Sequence, residues 1–359
     1  MAFSPDRQPA LLRRSESQRQ MAKPPTIHAV AARAGVSTAT VSKVVNRINV
    51  GMSETTRQRV EEAIRDLGYR PSRVGRSLRT LRRSTIGMAI VDASPSFLAD
   101  PFTTNLVAGL TNHLSARGFG LLLHGIKPHE LRDSVLVRES EVDALCVTLS
   151  GSRRDRLSYI KLLTELGQPF VTFQDQPVAS AKDACFVRQD DRAGAVGLAR
   201  YILEKRRAKR AVMFISELSW PAIEQRVSGF RDVFDDKRVS LDLVRCDETS
   251  SASIVAAAEA YLARTAPPDV FIGQNDQVAL TVMQVLKRHN IRVPGDVGVC
   301  GFNAFPFSGF ADPPLTTARS PAYELGQLGA AVILDRLEAG HFRKREHVLA
   351  VDLVAGASV

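Results

Sequence analysis

Residues 26 to 46 read TIHAVAARAGVSTATVSKVVN, and this stretch decides the fold of the first part of the chain. Ile27, Val30, Ala31, Ala34, Val36, Val41, Val44 and Val45 recur at helical spacings. Gly35 interrupts them where two short helices must be joined tightly, and Ser37 offers an N-cap for the second. That second helix, through Thr38, Ala39, Thr40, Ser42 and Lys43, exposes short polar groups and one cation. Such a helix suits the major groove, where hydroxyls and Lys43 reach base edges and phosphates. Two ordinary core helices satisfy the same pattern, so the neighbouring sequence must choose.

A third helix is expected over SETTRQRVEEAIRDLGYRP. Ser53 and Thr56 flank its start, Val60, Ile64 and Leu67 form its buried stripe, and Gly68 stops it just before Pro71. SRVGRSLRTLRRS follows, with Arg73, Arg76, Arg79, Arg82 and Arg83 and hardly any apolar surface; a solvated basic linker is its bland reading. Three ordered blocks, TI..VA..AGVS..TVS.VVN, S..TR..V..AI..LGY.P and SR.....L, together resemble the DNA-binding headpiece and hinge of the lactose-repressor (LacI/GalR) family of bacterial transcription regulators.

Charge placement agrees. Residues 21 to 83 carry thirteen basic and four acidic side chains, a net of +9, and the first twenty residues add +2. The whole chain is +10, so residues 84 to 359 come to −1. Positive charge concentrated at one end marks a dedicated polyanion-binding module rather than a generally basic surface. A membrane-surface role needs an amphipathic apolar face as well, and the hinge lacks one.

The length predicts two or three domains, and 44% apolar residues suffice for substantial cores. No run of about eighteen apolar residues occurs to span a bilayer. Residues 1 to 20 are polar, lack the apolar segment of a secretory signal and match nothing in the family, so residues 1–24 are expected to be a disordered extension, with Met21 an alternative start. Cys146, Cys185, Cys246 and Cys300 are isolated, which suggests buried reduced thiols in a cytoplasmic protein. The seven histidines show no ligand spacing; His124 and His129 are the closest pair, and no metal site or cofactor is expected.

Beyond the hinge, apolar runs alternate with amphipathic stretches. Strands are expected at STIGMAIVDA, FGLLLHG, VDALCVTLS, PFVTF, AVMFIS, DVFIG and VGVCGF. Helices are expected over 103–117, 128–139, 153–167, 191–206, 221–235, 252–264 and 276–290. Alternation of this kind gives parallel sheets with helices on both faces, and two series give two lobes with ligand at the carboxyl ends of the strands. The family resemblance extends through this region, more loosely, in DDRAG at 190–194, RVSGF at 226–230, QNDQVA at 274–279 and VPGDVGVCGFN followed by PPLTT.

The resemblance implies a small all-α helix-turn-helix headpiece (25–71), a hinge helix or linker (72–83) and a two-lobed α/β periplasmic-binding-protein-like core (84–359). Lobe one is expected over about 84–184 and 316–342, lobe two over about 185–313 and 344–359. The chain would thus cross near 185, 313 and 343, with HVLAVDLVAG as a last strand in the second lobe.

For the DNA, double-stranded and pseudo-palindromic, the resemblance implies contacts from Thr26, Ser37, Thr38, Ala39, Thr40, Ser42, Lys43, Asn46, Ser53, Thr56, Arg57, Tyr69, Arg73 and Arg76. Leu78 would be the wedge in the minor groove. Gly75 stands where the family usually has Ala and disfavours the hinge helix by about 1 kcal/mol. A carbohydrate-like effector would be held by Phe97, Phe102, Asp190, Trp220, Arg226, Asn275, Asp276 and Asn303. Core packing is the alternative for Trp220, and Asp276 equally suits a helix cap. Asn303 replaces the family's more common Asp, so the effector presents an acceptor there or is itself anionic. A homodimer is expected, since the chain ends without a C-terminal leucine heptad. The readings left standing are a ligand-responsive repressor, a relative controlled by a protein partner, and a sugar-binding or sugar-modifying protein with a basic tail. The last lacks a phosphate-cradling loop and a nucleophile–base pair.

Overall fold

A computed structural model describes residues 25–46, 48, 51–70, 83–94, 97–139 and 141–359. The expected extension and hinge, with Arg73, Gly75, Arg76 and Leu78, lie outside these residues. The chain divides into two compact units, Met1–Leu81 and Arg82–Val359.

The first unit contains α1 (Ile27–Ala34), α2 (Thr38–Val45) and α3 (Glu54–Leu67). Each begins at a hydroxyl N-cap: the Thr26, Ser37 and Ser53 side chains accept from the amides of Ala29, Thr40 and Thr56. Gly35 has φ 65° and Gly68 φ 60°, the left-handed conformation that lets α1 turn tightly into α2 and stops α3. Val30, Ala31, Ala34, Val41, Val60 and Ala63 form the buried centre, with Tyr69 packed against it.

The second unit has two sheets. In chain order its elements begin with β1 (Thr85–Val91), α4 (Pro101–Ala116), β2 (Gly120–Ile126), α5 (Val135–Arg138), β3 (Ala144–Leu149), α6 (Arg153–Glu165), β4 (Phe170–Phe173) and β5 (Ala184–Gln189). There follow α7 (Asp191–Lys205), β6 (Arg210–Ser216), α8 (Pro221–Phe234), β7 (Ser240–Cys246), α9 (Ser251–Arg264), β8 (Val270–Gly273), α10 (Asp276–Arg288) and β9 (Gly298–Cys300). The chain finishes with β10 (Thr317–Arg319), α11 (Ala322–Ala339), β11 (Glu346–Leu349) and β12 (Asp352–Val354). The first sheet runs β11-β5-β4-β3-β1-β2 and the second β7-β6-β8-β9, every pairing within them parallel. β10 bridges onto the β9 end at Cys300–Thr316 and Asn303–Arg319, and pairs antiparallel with β12. Central strands such as β3 and β4 are buried at every residue, as a sheet covered on both faces requires.

Three expectations need correction. The lobes change at residues 190, 320–321 and 350–351 rather than 185, 313 and 343. β5 and β11 both lie in the first sheet, where they pair, and HVLAVDLVAG is split between β11 there and β12 beside β10. Residues 128–139 do not form one helix: a 3-10 turn over Pro128–Asp133 ends at Ser134, whose extended backbone (ψ 147°) separates it from α5. The sequence reading also missed β7, an edge strand with four of its seven residues exposed and no sustained apolar alternation.

Close backbone approaches explain the motif glycines. A Cβ on Gly229 of RVSGF would lie 2.4 Å from the Arg192 carbonyl oxygen, so α7 and α8 meet there only over glycine. A Cβ on Gly194 of DDRAG would meet Val351, in the third crossover, at 2.5 Å. The four cysteines are free and buried, and burial pushes the Cys185 and Cys246 thiols up to about 12. Among the described residues, no helix is long and apolar enough to cross a membrane.

Candidate functional site

In the first unit, α2 turns Ala39 and Lys43 fully outward, with Thr38, Thr40 and Ser42 half-buried beside them and Val41 on the core side. Thr26, Ser37 and Ser53 are helix caps, with Thr56 hydrogen-bonded to Ser53 at 2.8 Å. Asn46 donates to the Ser42 carbonyl at 2.7 Å, closing α2. Arg57 is half-buried on α3, and Tyr69 contributes to the core. Arg33 pairs with Asp66 at 3.0 Å, leaving Lys43 as the exposed cation of the α2 face.

In the second unit, a cavity of about 210 Å³ opens between the lobes at the carboxyl ends of the strands. The first lobe supplies Asp92 and Phe97 from the loop after β1, Phe102 at the start of α4, Thr148 from β3 and Gln174 after β4. The second supplies Trp220, Ile223 and Arg226 of α8, Glu248 after β7, Gln274 and Asn275 after β8, and Asn303 after β9. Six of the eight expected effector residues line this cavity: Phe97, Phe102, Trp220, Arg226, Asn275 and Asn303.

Asp190 and Asp276 do not line it. Asp190 caps α7, accepting from the Ala193 amide at 3.0 Å. Asp276 is wholly buried, accepting from the Phe305 amide at 2.7 Å and the Thr317 hydroxyl at 2.5 Å. It thereby fastens the loop after Asn303 to α10 and β10. The two departures differ in cause: Asp190 satisfies a local backbone donor as a cap, whereas Asp276 is taken up by distant donors and leaves the cap of α10 to Asn275.

Arg226 is 3% exposed and fixes the crossovers. Its Nε donates to Asp191 at 2.8 Å, one terminal nitrogen donates to the Gln274 carbonyl at 2.5 Å, and the other to Asn303 Oδ1 at 3.1 Å. The Phe302 ring lies 3.7 Å below its guanidinium. Asp191 also accepts from Gln189 Nε2 at 2.7 Å and from Gln174 Nε2 at 3.4 Å, both in lobe one. The Ser320 hydroxyl donates to Asn303 Oδ1 at 2.8 Å. One guanidinium therefore joins the first crossover (Gln189–Asp191), the second (Ser320) and the cavity wall. Because Arg226 and Ser320 both donate to Oδ1, the Asn303 amide is oriented with Nδ2 free for the cavity. Asn303 (φ 102°) and Gln174 (φ 69°) hold left-handed backbones at this wall.

A second tie joins the lobes beside the cavity. Arg156 of α6 donates to Asp175 at 3.0 Å within lobe one, and through its terminal nitrogens to Glu224 of α8 at 3.2 and 2.9 Å. Nearby, the Gly151 amide donates to the Ser219 carbonyl at 2.9 Å. Neither Asp175 nor Glu224 stands out in the sequence; only the strand-end position of Asp175 hints at a role.

Burial pushes the carboxyls of Asp175 and Asp276 up to about 6 and that of Glu248 up to about 7. A carboxyl raised in the folded state binds its proton more tightly there than in the unfolded chain, so its destabilisation is full above the folded value and is relieved as pH falls through it. His347, lowered by burial, works in the opposite direction near its unfolded value of 6.5. With three groups against one, the thermal midpoint of the core is expected to rise between pH 8 and pH 5.5. A midpoint that falls steadily over that window in calorimetry contradicts the assignment.

A three-helix DNA-binding unit and a two-lobed core with a ligand-sized cavity define a class: one-chain, ligand-binding transcription regulators. The chain belongs to the lacI family of bacterial regulatory proteins, whose family model matches residues 26–72; a periplasmic binding protein-like domain matches residues 201–359. It is 30% identical over 319 residues to the HTH-type transcriptional regulator CelR of Thermobifida fusca, covering 87% of this chain and 92% of that protein. It is 26% identical to the transcriptional repressor PurR of Vibrio atlanticus, covering 93% and 98%. Among solved structures, a CelR–cellobiose complex matches at 27% identity and TM-score 0.67, covering 93% of this chain and all of the other. The Lac repressor dimer bound to operator and the anti-inducer ONPF shares the fold at 23% identity and TM-score 0.80, covering 94% and 99%. These relatives are transcription regulators, not enzymes, and this chain is a helix-turn-helix transcription regulator.

Proposed function

We propose that the protein is a cytoplasmic, homodimeric repressor whose affinity for a pseudo-palindromic operator changes when a carbohydrate-like effector occupies the cleft. In this reading α2 lies in the major groove, with Lys43 on a base edge or phosphate and Ala39 against a thymine methyl. The cavity wall carries the effector half of the reading. Arg226 touches the cavity wall and the first crossover and is tied through Asn303 to Ser320 in the second, so a ligand that moves it biases the lobe angle; a coupling of about 1–3 kcal/mol is typical of such a device. CelR was solved with cellobiose, which favours a sugar as the class of effector. No hydrolytic or transfer chemistry is assigned, since Arg226 and its carboxylate are held in fixed mutual pairing with no nucleophile between them.

Lys43→Ala is expected to weaken operator binding by about 1–3 kcal/mol. The change is read by fluorescence anisotropy on the selected site and on a scrambled duplex. Equal affinity of variant and parent for both duplexes would remove α2 from the groove.

A further inference from the structure

The charges of the cavity do not balance. Arg226, the cavity's one guanidinium, is already matched by Asp191 at 2.8 Å. Asp92 and Glu248 reach the same cavity from opposite lobes, and among the described residues neither has a Lys, Arg or His partner. Both are half-buried: desolvation is the foremost cause holding both carboxyls above their ordinary range, and the charge of Asp92 adds a smaller push to that of Glu248. Buried carboxylates are ordinarily paired. Among the described residues three acids line the cavity without a cation; Asp100 spends its two oxygens on the start of α4, accepting from the Phe102 and Thr103 amides at 3.2 and 3.1 Å, which leaves Asp92 and Glu248 to be answered by a proton or by a cation brought by the ligand.

Other groups describe the rest of that ligand. Thr148 in β3 lines the cavity, only 7% exposed, and its buried hydroxyl has no hydrogen-bond partner among the described residues. The Asn303 Nδ2, forced inward by Arg226 and Ser320, offers a donor. Trp220 and Phe102 present flat apolar faces, which suit the carbon face of a pyranose ring. A metal ion does not answer the acids, because no cluster of three or more metal-ligating side chains occurs among the described residues. An anionic sugar is repelled by them.

Resting on the carbohydrate reading above, we propose that the effector is an amino sugar whose ammonium group sits between Asp92 and Glu248 while Thr148 and Asn303 engage its hydroxyls. The ammonium takes the place of the proton that the acid pair otherwise holds, so binding below neutrality releases a proton to solvent. Neutral sugars leave that proton where it is.

The test uses the full-length protein and matched probes that differ only in an amine for a hydroxyl: glucosamine against glucose, galactosamine against galactose, and the β-1,4 glucosamine disaccharide against cellobiose. Affinity is measured by calorimetry at pH 6 and pH 7.5, in two buffers of different ionisation heat. For at least one pair the amine is expected to bind about 30-fold tighter than its hydroxyl partner, as the loss of a buried charge partner implies. Its affinity should rise several-fold from pH 6 to pH 7.5, with buffer-dependent heat. Glu248→Gln and, separately, Asp92→Asn should reduce that preference below about threefold, with thermal melting used to confirm that each variant is folded. The proposal is overturned if no amine outbinds its partner, or if the preference survives both substitutions. Operator binding is scored separately: a neutral sugar that alters it leaves the repressor reading standing and removes only the ammonium site.

Discussion

Arg226→Ala is expected to destabilise the core by about 3–5 kcal/mol and to abolish the effector response. Removing one partner of a buried ion pair strands the other, and Asp191 is only 3% exposed. Burial already raises the Asp191 carboxyl, with Arg226 the largest influence holding it down. The same change frees the Gln274 carbonyl and Asn303 Oδ1, so the cavity wall loses its fixed orientation. Two further variants separate charge from geometry. Arg226→Ala combined with Asp191→Asn should recover part of the stability and none of the response, since contacting sites do not add. Arg226→Lys keeps the charge but not the fork, and one ammonium cannot reach three acceptors spread around a planar group. Urea unfolding gives the stabilities, and operator anisotropy with and without effector gives the response. A stable Arg226→Ala protein that still responds would show that the guanidinium is not the joint between cavity and crossovers.

Arg156→Met is the second large effect, expected to cost about 3 kcal/mol, because Asp175 is buried with Arg156 as its one cation among the described residues. Here the loss is self-limiting: Asp175 already titrates near 6 and takes up a proton once the guanidinium is gone. Stability lost at pH 8 should therefore be partly regained at pH 5.5. Glu224 has 40% of its side chain exposed, so Glu224→Gln should cost well under 1 kcal/mol. Both variants, however, remove the tie from lobe one to the start of α8, four residues from Trp220. Both should therefore shift the effector concentration for half-response in the same direction, despite their unequal costs in stability. Opposite shifts would show that the tie does not bias the lobes.

Much of this was legible in the sequence because the deciding residues act locally. Ser37 and Ser53 cap helices through amides three residues away, and Gly35 and Gly68 supply backbones that side chains resist, so the three-helix unit can be read from the chain alone. Parallel strands buried on both faces leave unbroken apolar runs, which is why β1, β3 and β6 are plain. Edge strand β7 leaves none. Arg226, Asn275 and Asn303 reach the cavity from motif positions. Which of two adjacent carboxylates does what was not legible: Asp190 caps while Asp191 holds Arg226, a choice set by the direction of the chain leaving β5. The two acids Asp92 and Glu248 and the orphaned Thr148 hydroxyl were also invisible, since they share one cavity only when two sheets far apart in sequence face each other. The lobe boundaries failed for a related reason. β5 and β11 are ordinary apolar strands, and only their mutual pairing assigns both to lobe one.

The central claim, that cleft occupancy controls sequence-specific DNA binding, is tested most directly by selecting bound duplexes from a random DNA pool with the purified full-length protein, with and without neutral and amino sugars. The expected result is a pseudo-palindromic site whose recovery changes with one sugar and no longer changes in Arg226→Ala. Failure to enrich any site, or a site whose recovery no sugar alters, would contradict it.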